Sequence, residues 1–214
     1  MNRRTIVLFL FAAALSAQST LNVPEATPEQ AKKRRNGLYA VLHTSKGPIT
    51  IQLFERESPL TVENFVALAT GQKQWRDPVT KQMKQTPLYN GTIFHRVIPG
   101  FVIQGGDPSG TGVGDVGFTI PDEWTRSSML FNIPGRVAMA NFGPGTAASQ
   151  FFITERASFE LDERYTIFGQ VVDGSRVVSA ISGVPRDSED RPKEKVVLEK
   201  VEVFRVGPPP KPRK

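Results

Sequence analysis

A chain of 214 residues with 39% hydrophobic and 22% charged residues has the balance of one soluble globular domain with tails. It holds no cysteine, which excludes disulfides, thiolate zinc sites, cysteine nucleophiles and a lipid-modified cysteine anchor. The formal charge of +6 resides in the ends: setting aside Arg3, Arg4, Lys32, Lys33, Arg34, Arg35, Lys211, Arg213 and Lys214 with the acidic Glu25 and Glu29 leaves 18 basic against 19 acidic residues, so the folded body lacks the basic excess of a nucleic-acid-binding domain.

Residues 1–17, MNRRTIVLFLFAAALSA, place two arginines before an apolar run and then small residues. This is the pattern of a secretory signal peptide, and the run at 6–15 is short for a membrane span. The expected location is therefore periplasmic or secreted, with no stable membrane insertion after cleavage. An uncleaved segment tethering the chain is the alternative. Residues 18–36 are polar, contain Pro24 and Pro28, and end in a basic cluster; they read as a linker.

The folded body is expected over 37–207. Residues 38–43 and 49–54 are strand candidates flanking the turn Ser45-Lys46-Gly47-Pro48. Ser58 suits an N-cap, Pro59 the first helical position and Gly71 the stop, which predicts a helix over 59–70. Residues 72–89 are polar and aperiodic and read as a surface loop, either an extension of a binding surface or tolerated length. Short strands are then expected at 93–97, 102–104, 136–140, 150–153 and 166–172, a second helix at 174–181, and a long strand at 195–205. Many short strands between turns, with two helices, describe a mainly β sandwich or closed barrel and disfavour a doubly wound sheet. Residues 208–214 form a Pro-rich basic tail.

Two stretches concentrate chemistry. FHRVIPGFVIQGGD occupies 94–107 and VAMANFGPGTAASQFFI occupies 137–153. Both set a few polar groups (Arg96 and Gln104, Asn141 and Gln150) among aromatics and aliphatics, the composition of a small apolar ligand pocket. Other signals carry less. Residues 112–117 fit GxGxxG by letter, but Phe118-Thr119-Ile120-Pro121 follows where a dinucleotide site needs a helix. His43 and His95 are the only histidines, no metal-ligand spacing accompanies them, and GxSxG is absent. Asn90-Gly91-Thr92 is a formal glycosylation sequon that reads better as a turn.

FHRVIPGFVIQGGD, GTGVG, MANFGPG, SQFFI and LDERYTIFGQV stand here in the order found in cyclophilin-type peptidyl-prolyl isomerases, and the likeness spans residues 38–206. The chain thus resembles that family. The resemblance implies a closed eight-stranded antiparallel β-barrel with a helix over each end, catalysis without a cofactor, and proline-containing unfolded or partly folded polypeptides as partners of a monomer. It also implies site roles. Arg96 would be the catalytic cation. Gln104 would place Arg96 and the substrate carbonyl. Phe101, Val102, Phe152 and Leu161 would receive the proline ring. Ala140 and Asn141 would meet an extended substrate through their backbone, Gln150 would supply the next polar contact, and Gly110 would lie in the glycine-rich loop. Tyr165 stands where many members have histidine, and Glu160 stands where animal-type members have tryptophan, with Phe159 one residue away, so tight cyclosporin binding is not carried over. Phe142 replaces a smaller residue and would narrow the neighbouring groove, and 72–89 is an insertion relative to compact members.

The chemistry suits these residue types. Amide resonance sets a rotation barrier of about 18–20 kcal/mol, and X–Pro bonds exchange isomers over roughly 10–100 s. A catalyst needs no nucleophile, only a fixed donor for the deconjugated prolyl nitrogen, and arginine is a planar and permanently charged one. Read from the residues alone, a structural ion pair on a strand is the commoner role for an arginine such as Arg96. A proline-binding module or chaperone is the competing function, and a serine hydrolase lacks its nucleophile motif.

Overall fold

A computed structural model describes residues 21–32, 34–124 and 128–210. The expected signal peptide lies outside the described residues. Strand β1 (Gly37–Thr44) and β2 (Gly47–Leu53) form the first hairpin, followed by helix α2 (Pro59–Thr70); a short α1 (Pro28–Ala31) precedes them. Then come β3 (Trp75–Arg76), β4 (Met83–Lys84), β5 (Thr92–Ile93), β6 (Arg96–Ile98), β7 (Val102–Gly105), β8 (Arg136–Met139), β9 (Phe151–Thr154), β10 (Ile167–Asp173), helix α3 (Ser175–Ser182) and β11 (Val197–Val206). The main sheet has the order β5-β11-β1-β2-β10-β8-β9-β7-β6, every pair antiparallel.

The two ends of that order are halves of one segment, since only Phe94 and His95 separate β5 from β6. One half pairs with β11 and the other with β7, and Ile93 bridges to Asp107 just beyond β7. Counting that segment once, the curled antiparallel sheet has the eight strands expected. Alternating residues of β1, β2, β7, β8 and β9 fill the interior with Leu38, Ala40, Leu42, Ile49, Ile51, Ile103, Val137 and Ile153, joined by Phe65 of α2 and Ile181 of α3. The helices leave opposite ends of the β2–β10 pair. Ser58, which opens α2, bonds to Ile167 where β10 begins, whereas Gly174, which opens α3, lies against Pro48 where β2 begins.

Local chemistry departs from expectation in three places. Ser58 stands at the N-cap, but its hydroxyl donates to the Ile167 carbonyl at 2.6 Å and does not cap. The orphan N–H groups of Leu60 and Thr61 instead reach the buried Glu123 carboxylate at 3.1 and 2.8 Å.

Residues 72–89 are not aperiodic. β3 and β4 form a small hairpin, and Trp75, Leu88 and Tyr89 are buried in the main core. The Asp77 carboxylate closes the turn by accepting from Val79 and Thr80 and pairing with Lys84. The Lys84 bond, with those two N–H groups, pulls its pKa down to about 2.

The segment expected to be a linker is docked from Leu21 onward. Pro24 and Ala26 bond to the backbone of Arg205 at 2.9 and 2.7 Å, and Thr27 starts α1 with a capping box to Gln30. The cause lies on the barrel's outside, where Tyr39, Phe204 and Val206 form a second apolar cluster that Ala26 and Ala31 cover. The Arg34 guanidinium lies 5.8 Å from the Tyr39 ring centroid and 5.5 Å from that of Phe204.

Candidate active site

The site is a row of cross-strand neighbours on the outer face of the barrel. Arg96 pairs with Gln104, Gln104 with Phe152, and Phe152 with Ala138. Residues one position along (Val97, Ile103, Ile153 and Val137) point inward and are fully buried. Period-two alternation therefore places the whole row outside. A separate cluster of Val102, Phe131, Ala138, Phe152 and Ile167 forms there, walled by Phe101, Leu161 and Tyr165. Phe101 follows Gly100, whose φ of +68° turns the chain back between β6 and β7. Leu161 ends a single 3-10 turn, Phe159–Leu161, and Tyr165 immediately precedes the β10 region.

These elements enclose a cavity of about 280 Å³ lined by Arg96, Phe101, Val102, Gln104, Ala140, Asn141, Phe152, Leu161 and Tyr165. Its aromatic floor is rigid by contact: Phe131 stacks beneath Phe152 at 5.9 Å, and Tyr165 meets Phe152 edge-on at 5.1 Å. Phe131 was not visible as a site residue in the sequence, because it lies in a loop without strand alternation.

The polar edge is also fixed. Gln104 Nε2 donates to Gln150 Oε1 at 3.1 Å, and Gln150 Nε2 donates to the Gly112 carbonyl at 3.0 Å. Arg96 Nε lies 4.0 Å from Asp190 Oδ2, and the Val97 N–H donates to the Asp190 carbonyl at 2.8 Å. Asp190 also holds Arg186 at 3.0 Å and adopts a φ of +61°. Nothing in the polar stretch 185–192 signalled this role.

Of the expected site residues, Gly110 alone stays away from both cavities described here. Its carbonyl accepts from Arg191 Nη1 at 2.7 Å, so it holds the glycine-rich loop against the 185–192 loop. That loop folds around the fully buried Asp107 carboxylate, which accepts from the N–H groups of Ser109, Gly112 and Gly114 at 2.8, 2.7 and 3.1 Å. Burial raises the Asp107 pKa, but these bonds outweigh it and hold the group below its ordinary range. His95 is packed under the same loop, against Gly112, with neither ring nitrogen hydrogen-bonded. Burial pushes its pKa down against the pull of Asp107.

Gln150 lines a second cavity of about 350 Å³, which shares Gln104, Ala140 and Asn141 with the first. The two form one groove. Val113 and Phe142 stand on its rim, 73% and 71% exposed. Phe142 thus lines the neighbouring groove. Glu160 is exposed and paired with Arg156 at 2.5 Å, and that guanidinium lies 5.3 Å from the Phe101 ring centroid. Phe159 is exposed and does not line the cavity. Among the described residues no cluster of acidic or histidine side chains could hold a metal ion, and no helix is long and apolar enough to cross a membrane.

A family model described as cyclophilin type peptidyl-prolyl cis-trans isomerase/CLD matches residues 39–203. Peptidyl-prolyl cis-trans isomerase B of Streptomyces anulatus is 48% identical over 169 residues, covering 78% of this chain and 96% of that protein. Peptidyl-prolyl cis-trans isomerase A of Mycobacterium tuberculosis H37Rv is 48% identical over 166 residues, covering 77% and 91%. A crystal structure of a Cryptosporidium parvum cyclophilin type peptidyl-prolyl cis-trans isomerase superposes with a TM-score of 0.66 at 30% identity, over 78% of this chain and 96% of that one. The same protein crystallised in the presence of the dipeptide ala-pro matches with the same score.

Proposed function

The chain belongs to the cyclophilin-type peptidyl-prolyl cis-trans isomerases and is an enzyme of that activity, and on this premise we propose how its groove performs the reaction. The proline ring enters the cavity of Phe101, Val102, Phe152 and Leu161, with Tyr165 as a side wall. The chain before the proline runs along the backbone of Ala140 and Asn141 towards the second cavity. Gln104 and Gln150 supply polar contacts to that chain, and Gly110 acts at a distance by keeping the glycine-rich loop in place. Arg96 at the cavity edge donates to the prolyl nitrogen as the amide twists and its lone pair leaves conjugation. That interaction exists in the twisted state and not in either planar isomer, so it lowers the barrier without tightening ground-state binding.

The observation that carries this reading is the direct pairing of Arg96 with Gln104 at the mouth of an aromatic-floored cavity. Its test is the cis-to-trans rate of a short X–Pro peptide with the wild-type chain and with Arg96→Ala. Strong acceleration by the first and little by the folded second is the expected result. Equal acceleration by both would remove Arg96 from the mechanism.

The clients proposed are unfolded exported polypeptides, reached in the periplasm or outside the cell. Support comes from the leader-like residues 1–17, with release from the membrane after cleavage. N-terminal sequencing of the protein recovered from cell fractions tests this; a full-length product in the membrane fraction would favour the tethered alternative. A monomer is proposed because a sheet that returns to its first strand offers no open edge for pairing, and sedimentation equilibrium tests it.

A further inference from the structure

We propose that the insertion at 72–89 is a specificity element: Lys73 and Arg76 brace the outer wall of the second cavity and so select the side chains that precede the proline. This rests on the groove reading above. The wall is the run Val113–Phe118, which has no regular secondary structure. Its inner end is tied to Asp107 through the Gly114 N–H. Its outer end is tied to the insertion. The Arg76 N–H donates to the Val116 carbonyl at 2.8 Å, and the Arg76 guanidinium pairs with Asp115. At Gly117, where φ is +89°, a Cβ would lie 3.1 Å from that of Arg76, so β3 and the wall pack backbone-close. Lys73 Nζ lies 3.6 Å above the Phe118 ring centroid and donates to Asn64 of α2 at 2.7 Å.

The insertion can transmit this bracing because it is anchored. Trp75 is 5% exposed within the core, and its indole N–H donates to the Thr86 carbonyl at 2.9 Å. Val116 and Phe118 of the wall line the cavity, with Val113 and Phe142 at its rim, a surface that suits an apolar side chain. At the rim, Arg76 neutralises Asp115. Removing the guanidinium both loosens the wall and bares a carboxylate. The expected consequence is weaker discrimination for apolar residues and better acceptance of basic ones.

The test uses the full chain and peptides X-Ala-Pro-Phe in which X is Gly, Leu, Phe or Lys. In Arg76→Ala the kcat/KM for Leu and Phe peptides should fall about tenfold relative to Gly, the scale of one lost apolar contact in a pocket. The Lys peptide should gain relative to Gly. Arg76→Lys should recover much of the wild-type order. A uniform change across all four peptides, or none, overturns the inference. Phe142→Ala separates the two levels, because Phe142 borders the cavity from the segment after β8, outside 72–89. If Phe142→Ala alters the order and Arg76→Ala does not, the insertion has no such role while the groove stands. If neither alters it, the groove reading fails and takes the inference with it.

Discussion

Arg96 and Gln104 are directly opposed across the β6–β7 hairpin, and the Gln104 amide is held from behind by Gln150. The cation and its polar neighbour are therefore set by strand register and not by flexible loops. Sliding either strand by one residue would turn its own side chain, Arg96 or Gln104, into the barrel interior, where Val97 and Ile103 now pack. The geometry of the candidate site and barrel packing are enforced by the same hydrogen bonds.

From this it follows that Arg96→Ala should lower kcat/KM on an X–Pro peptide by roughly 10²–10³-fold, the scale for removing one preorganised donor. Arg96 is half-exposed, so the denaturation midpoint should barely move. Arg96→Lys should restore little, since an ammonium on a flexible stem does not reproduce a planar fork. Full activity in Arg96→Lys would show that charge alone suffices.

Phe152→Ala should damage both stability and activity. Phe152 is nearly buried and lies between Phe131 and Tyr165. Truncating a packed aromatic costs about 3–5 kcal/mol, measurable by urea denaturation. The floor of the cavity proposed for the proline ring is lost with it, so KM should rise even where the variant is fully folded. Unchanged KM in folded protein would place the proline ring elsewhere.

Much of this was legible before the fold. The strand candidates at 93–97, 102–104 and 150–153 carry Arg96, Gln104 and Phe152, and the family resemblance assigns their roles. What escaped shares a physical cause. Asp190 reaches Arg96 from a polar loop whose left-handed turn has no local signature. Phe131 looked like any loop apolar residue until it stacked on Phe152. Trp75 lies in a stretch whose polar composition hid a hairpin with one buried anchor, and residues 21–31 looked like a spacer because the apolar cluster they cover is created only when β1 meets β11. Each depends on a partner distant in sequence, which no local pattern encodes.

The remote cap of α2 gives a third expectation. Glu123→Ala removes the acceptor of the Leu60 and Thr61 N–H groups and of the Thr61 hydroxyl, the last at 2.7 Å. All three would be left without that partner near a buried helix start. A cost of roughly 1–2 kcal/mol, in the range of a lost N-cap, is expected. Ser58→Ala should act differently, by freeing the Ile167 carbonyl and leaving the helix start capped. Far-ultraviolet melting of both variants checks the distinction, and an unchanged melting temperature in Glu123→Ala would refute the cap.

Acid should weaken the fold through His95. Burial holds its pKa below the ordinary 6.5, with Asp107 opposing and Arg191 and Arg96 reinforcing the shift. Above pH 6.5 the imidazole is neutral in both folded and unfolded chains, so this source of stability is fully present. As pH falls below 6.5 the unfolded chain takes up a proton that folded His95 resists, the unfolded state binds more protons, and stability declines until the folded value is reached. The carboxylates of Asp77 and Asp107, both depressed, add a further loss with the same sign at lower pH, Asp77 between 3.8 and about 2. Urea midpoints measured from pH 7.5 to 5 should therefore fall in the wild type and fall less in His95→Gln. A slope that His95→Gln leaves untouched would assign the acid sensitivity to other groups, and a midpoint that rises on acidification would contradict the burial of a neutral imidazole beneath the glycine-rich loop.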